Sequence, residues 1–227
     1  MATITISREY GSEGVKIGQE IAERLGYDFV DKRIIEGIFR QYGLTKFNDL
    51  YTSAPGFWDL TSQTNLLIVS MLNETMEALA YRGNTVILGR GGFASLSGYA
   101  DVLNVRIQAP FPARLQRVMA REELTNRQQA EEHVREDDKA RRKFIQMFYN
   151  KQWDVEAHFD LVIDTGTVST DMAVNWIIEA TQALEKKQLD SQAVITKNIE
   201  VDPVLLDAIE KSMQSPLPPL PDEIEAV

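Results

Sequence analysis

Ile4-Thr-Ile-Ser-Arg-Glu-Tyr-Gly-Ser-Glu-Gly-Val-Lys-Ile-Gly-Gln-Glu-Ile-Ala-Glu-Arg-Leu25 is the stretch on which the reading of the whole chain turns. Thr3 to Ile6 alternate threonine with isoleucine, a β-branched run that suits a strand. Gly11, Ser12 and Gly14 then allow a tight turn, because glycine accepts positive φ and lets a ligand approach the backbone. Ile17, Ile21, Ala22 and Leu25 recur at helical spacing, and Gly26 stands where that helix should stop. A strand, a glycine turn and a helix in succession aim free backbone N–H groups and a helix N-terminus at an anion, usually a phosphate. The same succession also occurs as plain structure. The spacing G-x-x-x-x-G-K-[ST] is absent, since Val15 follows Gly14 and Lys16 comes one place later.

Working outward, Tyr27 to Val30 reads as a second strand, Thr85 to Leu88 a third, Val102 to Gln108 a fourth and Phe159 to Asp164 a fifth. Helical patterns separate them, from Ile34, from Leu66 to near Gly83, from Ala113, across the charged residues 126–152, and from Val168 to Lys186. Between Tyr42 and Thr64 the pattern loosens around Gly43, Pro55 and Gly56, which predicts an irregular insertion or small subdomain. Strands alternating with helices predict an α/β fold, a mainly parallel five-stranded sheet with helices on both faces. Ligands in such folds sit at the carboxyl ends of strands, where Arg8 to Gly14, Asp31-Lys32 and Gly89-Arg90 all fall. Past Lys187, Val201 to Met213 can form one more helix, whereas Ser215-Pro-Leu-Pro-Pro-Leu-Pro221 is expected to be extended.

The 227 residues are enough for one sizeable α/β domain with a little left over. A net charge of −10 argues against a general nucleic-acid binder, which would show a basic face. Residues 190–227 carry eight acidic against two basic groups, leaving the first 189 at only −4 and open to an anionic ligand. There are no cysteines, hence no disulfide and no thiolate metal site. The chain opens directly into a strand without a basic and then apolar leader, and no apolar run approaches the ~18 residues of a membrane span. A cytoplasmic address is the expectation.

Taken together these segments resemble the cytidylate kinase-like family, a branch of the P-loop nucleoside monophosphate kinases. The resemblance covers about residues 3–185. It rests on Ile-Thr-Ile-Ser-Arg-Glu-Tyr-Gly-Ser at 4–12, Phe-Val-Asp-Lys at 29–32 and Val-Ile-Leu-Gly-Arg-Gly-Gly at 86–92. Asn104 to Pro110, Arg114 to Met119, Phe148-Tyr149 and Trp153-Asp154 continue it. It implies a P-loop kinase-like three-layer fold in which the 3–7 strand is central, flanked by 85–89 and 102–108. It divides the chain into a domain at 1–187, with a helical lid at about 122–158, and an acidic, proline-rich extension at 188–227 that is expected to be dispensable for folding. Laid without gaps on the family pattern, the P-loop lysine falls on Gly14 and the metal-binding Ser/Thr on Lys16, so the loop is degenerate. Glu13 puts a carboxylate where phosphate would lie.

The resemblance implies ATP and Mg²⁺, with donor phosphates held by Arg8, Gly11, Ser12, Glu13, Gly14, Val15 and Lys16, and with few direct protein ligands to the metal. Arg90 is the candidate clamp on an acceptor phosphate, and Arg141 and Arg142 are candidate lid arginines over the transferring phosphoryl group. Asp31 and Asp138 are candidate acceptor contacts. Each has an ordinary reading beside it: Asp31 as a helix cap, Asp137–Arg141 as a helical i,i+4 pair, Arg8 or Lys16 as partners of nearby glutamates. His133, His158 and Arg135 read as surface residues, Trp153 and Tyr149 as packing. Two functions stay open. One is an ATP-dependent phosphotransferase acting on a nucleoside monophosphate or another small acceptor, without nucleic-acid or membrane partners and with homo-oligomers possible. The other is a nucleotide-binding or regulatory module on a kinase scaffold that no longer turns over.

Overall fold

The computed structural model describes residues 2–43, 63–187 and 192–214. Five strands form a single sheet: β1 (Thr3–Arg8), β2 (Asp28–Val30), β3 (Thr85–Leu88), β4 (Val102–Gln108) and β5 (Leu161–Asp164). Their spatial order is β2-β3-β1-β4-β5 and every pairing is parallel. β1 is central, with Ile4 opposite Val86 on one side and Leu103 on the other. All six of its residues are buried, as a parallel strand covered on both faces requires.

Among the described residues the α-helices are α1 (Gly14–Leu25), α2 (Lys32–Gln41), α3 (Gln63–Arg82), the short α4 (Gly92–Ser95), α5 (Phe111–Arg121), α6 (Arg127–Tyr149), α7 (Thr170–Lys186) and α8 (Pro203–Gln214). The isoleucine side of β1 faces α1 and α7, where Ile4 and Ile6 pack with Ile17, Ile21, Val174 and Ile177. Each such side chain, taken fully out of water, contributes roughly 1.5–3 kcal/mol. The other face of the sheet packs Val30 and Ile87 against Ile35, Leu72, Phe93 and Phe144. On the central strands, Thr5 Oγ1 satisfies itself by donating to Asn104 Oδ1 across the β1–β4 pair at 2.7 Å. Gly26 ends α1 at φ 66°, its N–H returning to the Ala22 and Glu23 carbonyls.

The irregular insertion expected between 42 and 64 falls on residues 44–62, outside the described ones, and so do the proline run and the acidic end beyond it. Residues past 187 do contribute to the packing, because α8 buries Leu205, Ala208 and Ile209 in the same cluster as α2 and α3. Gln41 Nε2 further ties α2 to it through the Ala208 carbonyl at 3.2 Å and Ser212 Oγ at 2.8 Å. Among the described residues no helix is long and apolar enough to cross a membrane.

Candidate functional site

The turn from Arg8 to Gly14 leaves β1 at its carboxyl end and is held from outside by side chains. Arg8 O accepts from Arg141, Glu9 O from the buried Ser12 hydroxyl, and Tyr10 O from Arg114. Gly11 O accepts from Arg117 and Ser12 O from the Thr165 hydroxyl. With every carbonyl from 8 to 12 engaged in this way, the peptide orientations of the turn are fixed. The N–H groups of Glu13, Gly14, Val15 and Lys16 donate to no acceptor among the described residues. They open α1, so the positive end of the helix dipole lies behind them. Glu13 caps the helix in the left-handed region, at φ 69°, and is half-exposed. Lys16 is exposed, and the two form no ion pair with each other.

Glycine at 14 and 89 has a shared physical cause. A Cβ on Gly14 would lie 2.6 Å from Arg8 Cβ and 2.8 Å from Cγ, and one on Gly89 would meet the Arg8 guanidinium. The Arg8 side chain therefore runs from the turn to the end of β3 through a lane that only two glycines leave open. It ends beside Gly89, Arg90 and Gly91, three consecutive left-handed residues at φ 73°, 53° and 74°. A non-glycine residue held there marks strain stored where the surroundings over-determine the backbone.

Arg8, Arg90 and Arg141 line one cleft of about 410 Å³, its open mouth included, at the carboxyl ends of β1 and β3. Its apolar wall is Phe93, Phe144 and Trp153. All three arginines are more than nine-tenths buried. Arg141 brings its counter-charge along on the same helix, with Nη2 at 2.7 Å from Asp137 Oδ2. That is the i,i+4 pair expected from sequence, but it is buried rather than solvated. Lys32, at the neighbouring end of β2, faces the same region. Burial, and then the nearby Arg90, push its ammonium below the usual lysine range.

The remaining candidates lie elsewhere. Asp31 caps α2: its Oδ1 accepts from the Arg33 and Ile34 N–H groups, and its Oδ2 from Arg33 Nε. Asp138 faces the back of the turn, accepting from Tyr10 N at 2.9 Å and Arg114 Nη1 at 2.7 Å. Arg142, about 100° round α6 from Arg141, is half-exposed near Asp154 at 3.6 Å and over the Trp153 ring at 5.8 Å. Gly11 and Ser12 shape the turn, Ser12 through its inward hydroxyl.

Several side chains escape a reading by motif. Trp153 packs as expected and also walls the cleft, donating from Nε1 to Ser7 Oγ at 2.9 Å with Arg106 stacked 4.6 Å from its ring centre. Tyr149 lies where a Cβ on Gly91 would be, 2.6 Å from its Cε2, and donates to Asn73 Oδ1. A side chain therefore has no room at 91. His133 is half-exposed but sits edge-on to Tyr10, its Nε2 3.2 Å from the Tyr10 hydroxyl. Arg135 lies 4.2 Å over the Phe111 ring.

An all-parallel sheet in the order β2-β3-β1-β4-β5, with helices on both faces and a strand–turn–helix leaving its central strand, defines the P-loop kinase-like class of fold. Within that class the chain belongs to the cytidylate kinase-like family, which it matches over residues 3–167. A solved structure of an uncharacterized protein from Eubacterium ventriosum superposes with a TM-score of 0.60 at 20% identity, covering 81% of this chain and 99% of that one. A shikimate kinase from Acinetobacter baumannii, solved with shikimate, gives a TM-score of 0.46 at 17% identity over 82% of this chain and 96% of its own. Among curated proteins, a uronate isomerase of Corynebacterium glutamicum is 28% identical over 128 residues, 53% of this chain. The chain spans 24% of that relative's length.

Proposed function

We propose that this protein is a phosphotransferase, which moves a phosphoryl group from ATP held at the 8–16 turn to a small acceptor whose anionic group is clamped by Arg90 and Arg141. One observation carries the reading. Four N–H groups without an acceptor among the described residues open α1 just after β1, and Arg8, at the end of β1, lines one cleft with Arg90 and Arg141 at the carboxyl ends of β1 and β3. Phosphoryl transfer needs cations and N–H donors around charge spread over phosphate oxygens, and little else from protein. Arg8, spanning from turn to cleft, occupies the place between donor and acceptor. It supplies the positive charge that the absent P-loop lysine would bring.

Mg²⁺ suits this site as an ion carried by donor phosphates rather than caged by protein. The described residues hold no cluster of three His, Cys, Asp or Glu, Lys16 stands at the usual Ser/Thr position, and the Ser12 hydroxyl is turned inward. When bound, the ion would neutralise charge on the donor phosphates. The acceptor is a nucleoside monophosphate, as in cytidylate kinases, or another small anionic acceptor that fits the cleft.

A second reading has its own observation: Glu13 presents a carboxylate at the turn, and Gly14 replaces the P-loop lysine. These favour a nucleotide-binding module without turnover. Incubation of the protein with Mg²⁺ and γ-labelled ATP over a panel of nucleoside monophosphates and small anionic acceptors separates the two. Transfer that falls by two or more orders of magnitude in Arg90→Ala supports the enzyme. Saturable ATP binding with no transfer to any acceptor supports the module, and no ATP binding at all sinks both.

A further inference from the structure

We infer that Asp138 and Arg114 are a positioning pair for the phosphate-binding turn, gripping both peptide groups that flank Tyr10 and fastening the turn to α6. The inference rests on the reading of residues 8–16 as a phosphate site, and it gives Asp138 a role other than acceptor contact. Asp138 Oδ1 accepts the Tyr10 N–H at 2.9 Å, while its Oδ2 accepts from Arg114 Nη1 at 2.7 Å. The same Arg114 Nη1 donates to the Tyr10 carbonyl at 3.0 Å, and its Nε to the Ala109 carbonyl at 3.0 Å. A closed ring of charge-assisted bonds thus runs from Tyr10 N through the carboxylate and the guanidinium back to Tyr10 O.

The ring is dry: both side chains are at least nine-tenths buried, and the Tyr10 ring beside them is fully buried. Glu9 adds a second carboxylate 3.3 Å from Arg114 Nε, itself anchored by the Ala109 N–H. Charge-assisted bonds in such surroundings are stronger and geometrically stricter than exposed ones. Two residues of chain separate the gripped peptide from Glu13 N–H, so rotation of that peptide re-aims the N–H groups that follow. The Gly11 and Ser12 carbonyls, held by Arg117 and Thr165, carry that setting on to α1.

The ring also decides what α6 can do. Asp138 and Arg141 lie one turn apart on that helix, the first holding Tyr10 N and the second Arg8 O. The helix that delivers Arg141 to the cleft is thereby the helix that sets the turn, and swinging it away as a rigid lid would break both contacts. Donor and acceptor subsites are placed by one element.

The test uses the full-length protein, with Asp138→Asn and Arg114→Lys as separate variants and together. Amide hydrogen exchange by mass spectrometry reads peptides covering 9–16 without any ligand, and titration with Mg²⁺-ATP reads the site. A Leu205→Val variant in the α8 core controls for general loss of stability. The expected result is exchange at 9–16 at least tenfold faster in each single variant, and a rise in the ATP Kd of about tenfold. Leu205→Val should lower Tm without changing either quantity. The double variant should be no worse than the worse single one, because a ring is lost once. Unchanged exchange at 9–16, an unchanged ATP Kd beside a binding wild type, or losses that multiply as independent ones each overturn the pair. Faster exchange at the turn in a protein whose wild type binds no ATP would keep the pair and remove the phosphate reading. Should Asp138→Asn fail to fold, Arg114→Lys, which keeps the buried charge, carries the same measurements.

Discussion

Gly14→Ala is the substitution whose outcome most directly tests the path of Arg8. Gly14 opens α1 and has no left-handed φ, so alanine meets no backbone strain there. By chain entropy alone the exchange should stabilise the protein by about 0.4–1 kcal/mol. The structure reverses that sign. The new Cβ would sit 2.6 Å from Arg8 Cβ and 2.8 Å from Cγ, against the ~3.5–4.0 Å of ordinary carbon contacts. About 1 Å must be found, and Arg8 Cβ is fixed by the backbone of the central strand, so a new rotamer clears only the outer atom. Overpacking of this kind costs about 1–3 kcal/mol. The net expectation is a loss of about 1–2 kcal/mol with weaker ATP binding, as the guanidinium is pushed from its lane. In an Arg8→Gly background both contacting atoms are gone, and alanine at 14 should regain its ordinary small benefit. Urea denaturation of the four proteins gives the coupling energy, with ATP titration alongside. A stabilising Gly14→Ala in the wild-type background, or the same cost in both backgrounds, refutes the argument.

Glu13→Gly should raise stability by about 1 kcal/mol by removing a left-handed non-glycine residue. It should also tighten ATP by up to about tenfold for each ~1.4 kcal/mol of repulsion relieved; titration at low and high salt checks this, and an unchanged Kd at low salt means the carboxylate does not face the phosphate. Asp31→Ala removes the α2 cap and should cost about 1 kcal/mol, read as a lower Tm. A collapse of phosphotransfer at unchanged Tm would instead assign Asp31 to the acceptor. Leu205→Ala should cost about 2–5 kcal/mol, and truncation after Asp202 should lower Tm more than truncation after Gln214. Equal melting of the two truncated chains would show that α8 adds nothing to the core.

The sequence by itself determined the order of elements, because each rests on a short-range pattern. The β-branched run at 3–6, the 3.6-residue spacing of Ile17, Ile21 and Leu25, and Gly26 as a stop are all local, and β1 and α1 follow from them. The central place of β1 was legible only through resemblance. Helicity of 203–214 was legible too. Its burial was not, since exposed Val204 and buried Leu205 and Ile209 give no sign of which partner they meet until α2 and α3 are folded beside them.

The site divides along the same line. Glycines at 11 and 14 left an anion site open from spacing, and Arg90 became a candidate through its place after a strand and through resemblance. Only the tertiary structure separated Arg141 from Arg142, because neighbours on a helix point about 100° apart and one face alone meets the turn. Asp31 and Asp138 read alike as candidate contacts, yet one caps a helix in its own segment and the other holds a turn 128 residues away. The Arg8 lane between Gly14 and Gly89 likewise joins positions distant in sequence, brought side by side by the β1–β3 pairing. Local patterns specify elements because their energetics depend on near neighbours. Which charge meets which is settled by packing.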